Sequence, residues 1–117
     1  MVAVLTISDY RNSENWNRAR LAVCTILEFT ESWSKRYEYR TLAKKIEHLS
    51  IGVLDNIAKG SDRSGDSNFL IQAANIIDAL EKELSKVRHK RMLDDSDSAL
   101  LKENLDVVKK SLKHPKT

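Results

Sequence analysis

One proline and three glycines in 117 residues leave the chain few places to break. Long uninterrupted helices are the natural reading of such a backbone. Cys24 is the single cysteine, so an intrachain disulfide is excluded. Its place beside the apolar stripe of the first helix predicts a half-buried small residue rather than a reactive thiol, which needs a nearby histidine or a helix N-terminus. No apolar run approaches the roughly 20 residues of a membrane span. Residues Met1 to Ile7 are too short for a signal peptide and lack its basic start, so a cytoplasmic protein without a membrane partner is expected. Aromatics are scarce at 6%, while charged residues make up 32%. That balance, with apolar residues in regular stripes, suits a solvated helical protein and argues against disorder.

The length fits one domain with a real core. Trp16, Ala19, Val23, Ile26, Thr30 and Trp33 recur in steps of three and four, and Leu21, Leu27 and Phe29 widen that stripe. Asn12 or Ser13 can cap this helix, with Glu14 favourable in its first turn. The polar stretch Ser34 to Glu38 reads as a connection. From about Tyr39 a second stripe runs through Leu42, Ile46, Leu49, Val53 and Ile57, and Gly60 ends it by tolerating the left-handed conformation. After the polar run Ser61 to Asn68, with a start near Asp66 or Ser67, Phe69, Ala73, Ile76, Leu80, Leu84 and Val87 make the longest stripe, broadened by Ile77. Asp94 is placed to cap a fourth helix that buries Leu101, Leu105, Val108 and Leu112, with Leu100 and Val107 at its margins. Pro115 stops it. Four amphipathic segments on short polar links predict an all-α, antiparallel up-down-up-down four-helix bundle over residues 12–114. Residues 1–11 form an N-terminal arm: Val2 to Ile7 is strand-prone but has no partner strand, so it is either an arm of its own or one that packs on a neighbouring subunit. Residues 115–117 are a C-terminal tail.

The centre of the chain carries a resemblance. Gly52-Val53-Leu54-Asp55-Asn56-Ile57-Ala58-Lys59-Gly60-Ser61-Asp62-Arg63, followed by Asn68-Phe69, is similar to the S-I-P-S-N-I-A-E-G-x-x-R pattern, followed by E-F, of the proteins encoded in intervening sequences of 23S rRNA genes. Asn56, Ile57, Ala58, Gly60, Arg63 and Phe69 match. Trp16 to Ala19 and Ala79 to Leu84 resemble that family's V-W-x-x-A and A-x-E-L-E-x-x-L. Leu54 stands where the family has proline and Lys59 where it has glutamate, so no role of that glutamate carries over. The resemblance implies a four-helix bundle that assembles into a homo-oligomeric ring, with a pentamer favoured. One branch of the family, the accessory variability determinant of diversity-generating retroelements, implies nucleic acid and a reverse transcriptase as partners.

Reactive constellations are missing. Carboxylate-bridged iron in a bundle needs Glu three residues before His, yet Lys45, Lys86 and Ser111 precede His48, His89 and His114 at that spacing. Zinc lacks a second cysteine or a His-x-x-x-His pair. The glycine-bracketed Gly60 to Gly65 is not followed by the Gly-Lys-Ser of a phosphate loop. No enzyme and no cofactor or metal are expected. Asn56 reads as a buried asparagine that orders neighbouring helices through hydrogen bonds, and with Gly60, Arg63 and Phe69 it forms a structural motif.

Charge is the informative signal. The net is only +3, but the stretches Ser34 to Lys45, Lys82 to Arg91 and Lys109 to Thr117 carry +4 each, leaving −9 to the remainder. In an up-down bundle the start of the second helix and the end of the third share one end. Lys35, Arg36, Arg40, Lys86, Arg88, Lys90 and Arg91 are therefore the candidate surface for phosphates. Against that stand the plain role of cations at a helix C-terminus and the acids Asp94, Asp95 and Asp97 at the same end. The expectation is a non-enzymatic oligomeric bundle that binds RNA or DNA; the alternative is a protein-protein adaptor using apolar residues outside the seams, such as Leu21, Ile51 and Ile71.

Overall fold

The computed structural model describes residues 14–60 and 67–113, and every regular element among them is helical. The elements are α1 (Glu14–Ser34), a single 3-10 turn (Tyr37–Tyr39), α2 (Arg40–Gly60), α3 (Ser67–His89) and α4 (Asp95–Lys113). The arm, the caps Asn12 and Ser13, Arg63 with the rest of the 61–66 link, and His114 with the tail lie outside the described residues. At about 1.5 Å per residue each helix is a rod of roughly 30 Å, and together they form a body of 48 × 23 × 21 Å. No described helix is long and apolar enough to cross a membrane.

Side-chain partners fix the direction of the helices. Lys45 meets Glu83, Gly52 faces Ile76 and Gly60 faces Leu70, a descending register that only antiparallel helices produce. Asp95 meets Arg88 and Lys109 meets Asp78, the same descending sense across α3 and α4. Each helix packs on the next in sequence and α1 closes on α4, the loosest of the four neighbour interfaces. The result is a four-helix all-α domain consistent with an up-down bundle.

The predicted stripe of α4 is buried throughout (Leu101, Leu105, Val108 and Leu112), and that of α1 is buried at Ala19, Val23, Ile26, Thr30 and Trp33, while Trp16 at its start is only half-buried. Burying each of the larger side chains favours the fold by about 1.5–3 kcal/mol. Leu21 does not widen the seam. It lies about 160° round the helix from it and is 62% exposed; Cys24, expected to be half-buried, is exposed for the same reason. On α2 the seam is rotated, with Ala43 and Ser50 buried and Leu42 and Leu49 at its edge. Ser50 can sit there because its hydroxyl donates to the Ile46 carbonyl, 2.8 Å. On α3, Ala73, Ala74 and Ile77 take the centre, while Ile76 moves to the margin and packs over Gly52, where a Cβ would be 3.5 Å from its Cδ1.

Two motif residues have roles other than those expected. Gly60 does not take the left-handed conformation; what it supplies is space. A Cβ there would stand 2.7 Å from Leu70 Cγ and Cδ2 and 3.0 Å from the Leu70 backbone nitrogen, so α2 and α3 meet at this glycine. Asn56 does not tie helices together either: its Nδ2 donates to Gly52 O of its own helix, 2.8 Å. Phe69 is half-buried with Lys59 Nζ 5.9 Å over its ring, and Lys59 is also paired with Asp55 at 3.0 Å.

Candidate nucleic-acid interface

The two connections that carry the basic runs meet at one end of the bundle. Trp33, in the last turn of α1, is buried and donates its indole N–H to the Met92 carbonyl at 3.3 Å, joining the α1–α2 link to the α3–α4 link. Beside it α3 ends in a Schellman turn. Met92 N–H returns to Val87 O (3.1 Å) and Arg91 N–H to Arg88 O (3.0 Å), with Arg91 in the left-handed region at φ 58°. Glycine is usual at that position, and an L-residue there costs roughly 1 kcal/mol. Asp94 then starts α4, its Oδ1 accepting from Asp97 N–H at 2.8 Å, the cap predicted from sequence.

All seven predicted basic residues belong to this end, but their environments differ. Lys35, Lys90 and Arg91 are exposed and form no ion pair among the described residues. Arg40 also lacks a carboxylate: its Nε donates to Ser34 O (3.3 Å) and its guanidinium lies 5.8 Å from the Tyr37 ring centroid. Arg36 meets Glu38 at 3.2 Å and lies 5.2 Å over Tyr39, and Arg88 meets Asp95 at 3.1 Å. Both of these pairs are well exposed, worth about 0–1 kcal/mol, and a phosphate can displace the carboxylate in each. Lys86 is held more firmly, by Glu83 at 3.2 Å.

Sequence reasoning missed two residues of this end. Glu83 is buried at 7% exposure, and it draws Lys86 and also Lys45 (3.6 Å) out of the basic field. Tyr37 is 87% exposed on the 3-10 turn. The run Arg36-Tyr37-Glu38-Tyr39-Arg40, which interleaves rings and guanidiniums within a polar connection, is a signal for it that the reading of this stretch as a plain link did not use. No protein family, curated protein or solved structure matches the chain.

Further along the α3–α4 seam the sign of the charge reverses. Lys109 Nζ lies 2.9 Å from Asp78, 2.8 Å from Glu81 and 3.5 Å from Asp106, so the first residue of the third basic run is spent on an acidic cluster. Hydrogen bonds to Asp78 and Glu81 hold the Lys109 ammonium above the ordinary lysine range. Burial, with Asp106 beside it, pushes the Glu81 carboxyl up, and the hydrogen bond to Glu81 holds Asp106 down. Glu81 Oε2 is enclosed without a donor among the described residues. A half-open cleft of about 550 Å³ runs from this cluster toward the basic end, with buried Leu84, Leu93 and Leu101 and the cations Lys82, Arg88 and Lys102 in its lining. Among the described residues no group of three or more His, Cys, Asp or Glu has the geometry to hold a metal.

Proposed function

We propose that the chain is a non-enzymatic, homo-oligomeric helical-bundle protein that binds RNA or DNA through phosphates at its basic end, as an accessory or scaffold factor. The supporting observation is the Trp33–Met92 junction, which brings Lys35, Arg40, Lys90 and Arg91 to one end with no carboxylate paired to any of them among the described residues. Phosphate contacts of this kind position a nucleic acid without reading its sequence. The resemblance to the 23S rRNA intervening-sequence proteins supports a ring of subunits, in which one modest patch is repeated and its field and avidity multiplied. It also supports a reverse transcriptase as the class of protein partner.

Mobility-shift titration over a salt series tests the reading. Affinity falls with rising salt, and Lys35→Glu with Lys90→Glu weakens binding and flattens the salt slope by roughly 0.7 per lost phosphate contact on a single strand or roughly 0.9 on duplex DNA. Absence of binding at low salt, or a double variant that binds like wild type, ends it.

A second reading, an adaptor that docks a protein, is favoured by one face. Leu21 and Leu100 are exposed beside a shallow groove between α1 and α4 that Phe29 also lines. A partner held by that face stays bound after nuclease treatment and is lost with Leu21→Glu and Leu100→Glu, whereas a nucleic-acid-bridged one is lost to nuclease.

A further inference from the structure

We infer that Tyr37 is a base-stacking platform, and that the basic end therefore takes single-stranded nucleic acid in preference to duplex; the inference rests on the phosphate-binding reading above. The geometry begins with the 3-10 turn. Arg36 is extended (φ −99°, ψ 123°), and Tyr39 N–H bonds Arg36 O at 3.0 Å to close the turn. At about three residues per turn, Tyr37 and Tyr39 point some 120° apart. Tyr39 packs against the core, which leaves Tyr37 directed outward and 87% exposed.

An aromatic ring in water contributes nothing to the core, yet this one has a cation beside it. The Arg40 guanidinium is 5.8 Å from the Tyr37 centroid and is tethered through Nε to the Ser34 carbonyl at 3.3 Å. That tether leaves the two terminal nitrogens of Arg40 for a phosphate while the ring offers a flat face. Lys35 and Arg36 flank the ring in sequence, and Lys90 and Arg91 stand across the Trp33–Met92 junction. An exposed ring among cations suits a strand whose bases are free: the cations track the backbone and the ring stacks on a base. A duplex keeps its base faces inside its own stack, so it can use the cations but not the ring.

Fluorescence anisotropy separates these contributions with three fluorescein-labelled probes of equal length: an oligothymidylate, an abasic strand and a blunt duplex. Wild-type protein binds oligothymidylate more tightly than the other two. Tyr37→Ala weakens oligothymidylate binding roughly five- to a hundredfold, to the level of the abasic strand, and leaves duplex binding unchanged; Tyr37→Phe keeps the wild-type order. Stacking is overturned if Tyr37→Ala binds oligothymidylate like wild type, or if Tyr37→Phe loses as much as Tyr37→Ala. Equal wild-type affinity for all three probes removes the stacking and leaves the phosphate reading standing, whereas no binding to any probe removes both. Tyr37 lies outside the core, so circular dichroism of the alanine variant should match wild type.

Discussion

The same substitution at two glycines of α2 should move stability in opposite directions. Gly52 is in the helix interior, where alanine is favoured over glycine by about 1 kcal/mol. A methyl there meets Ile76 Cδ1 at 3.5 Å and Cγ2 at 4.0 Å, ordinary contact that needs no movement. Gly52→Ala is therefore expected to stabilise by about 1 kcal/mol. Gly60 is the last residue of the helix, so its gain in propensity is smaller, about 0.5 kcal/mol. Its methyl would press on Leu70 Cγ and Cδ2 at 2.7 Å and on the Leu70 backbone nitrogen at 3.0 Å. The side chain can rotate away; the backbone nitrogen cannot move unless α3 moves with it. Overpacking of this kind costs about 1–3 kcal/mol, so Gly60→Ala should destabilise by about 1–2 kcal/mol. For a domain of this size the two variants should straddle wild type by about 4 °C in Tm per kcal/mol. Thermal and urea unfolding followed by the helical circular dichroism signal measures both. A Gly60→Ala variant at least as stable as wild type, or a Gly52→Ala variant less stable, would refute the close approach as the reason for glycine at one site and not the other.

Arg91→Gly relieves the left-handed strain. It is expected to raise stability by about 1 kcal/mol while weakening nucleic-acid binding, and a loss of stability in urea melts counts against the Schellman geometry. Lys109→Met leaves Asp78 and Glu81 without their cation; for a pair only partly withdrawn from water the cost is on the order of 2 kcal/mol. Because the folded protein holds the Lys109 pKa above its ordinary 10.5, this contribution is complete below pH 10.5 and fades as pH rises beyond it. Stability-versus-pH curves of wild type and Lys109→Met should therefore converge on the alkaline side. Glu81 and Asp106 act in acid with opposite signs. The raised Glu81 favours the fold most at low pH and loses that advantage as pH climbs above 4.5; the lowered Asp106 favours it above 3.8 and loses that as pH falls through its folded value. Curves that stay parallel above pH 10.5 would remove Lys109 from this role.

The fold was largely legible because hydrophobic periodicity and caps are local signals. Leu101, Leu105, Val108 and Leu112 could face only one way, and Asp94 stood one residue before its helix. Periodicity failed where it was ambiguous. Ile76 and Ile77 are equally apolar, and the helix-helix packing puts Ile77 at the centre and Ile76 over Gly52 of the opposing helix, which the stripe alone does not distinguish. Leu21 and Cys24 were misplaced because residue type was allowed to widen a stripe whose angle excluded them. The candidate site was legible as a tally of charge but not as a field. Which cations stay unpaired depends on interhelical register, through Glu83 against Lys45 and Asp95 against Arg88. Tyr37 was missed because Ser34 to Glu38 was weighed only as a polar link, and which of its two neighbouring rings faces outward depends on the 3-10 turn that separates Tyr37 from Tyr39.

The two indoles sit at opposite poles of α1, about 26 Å apart along its axis. Trp33 is enclosed at the junction of the two links, and Trp16 is half-covered at the far pole. The chain thus carries a separate optical beacon at each pole. With single-tryptophan variants, the arrival of a ligand at one pole and any rearrangement at the other can be timed independently, without attaching a dye.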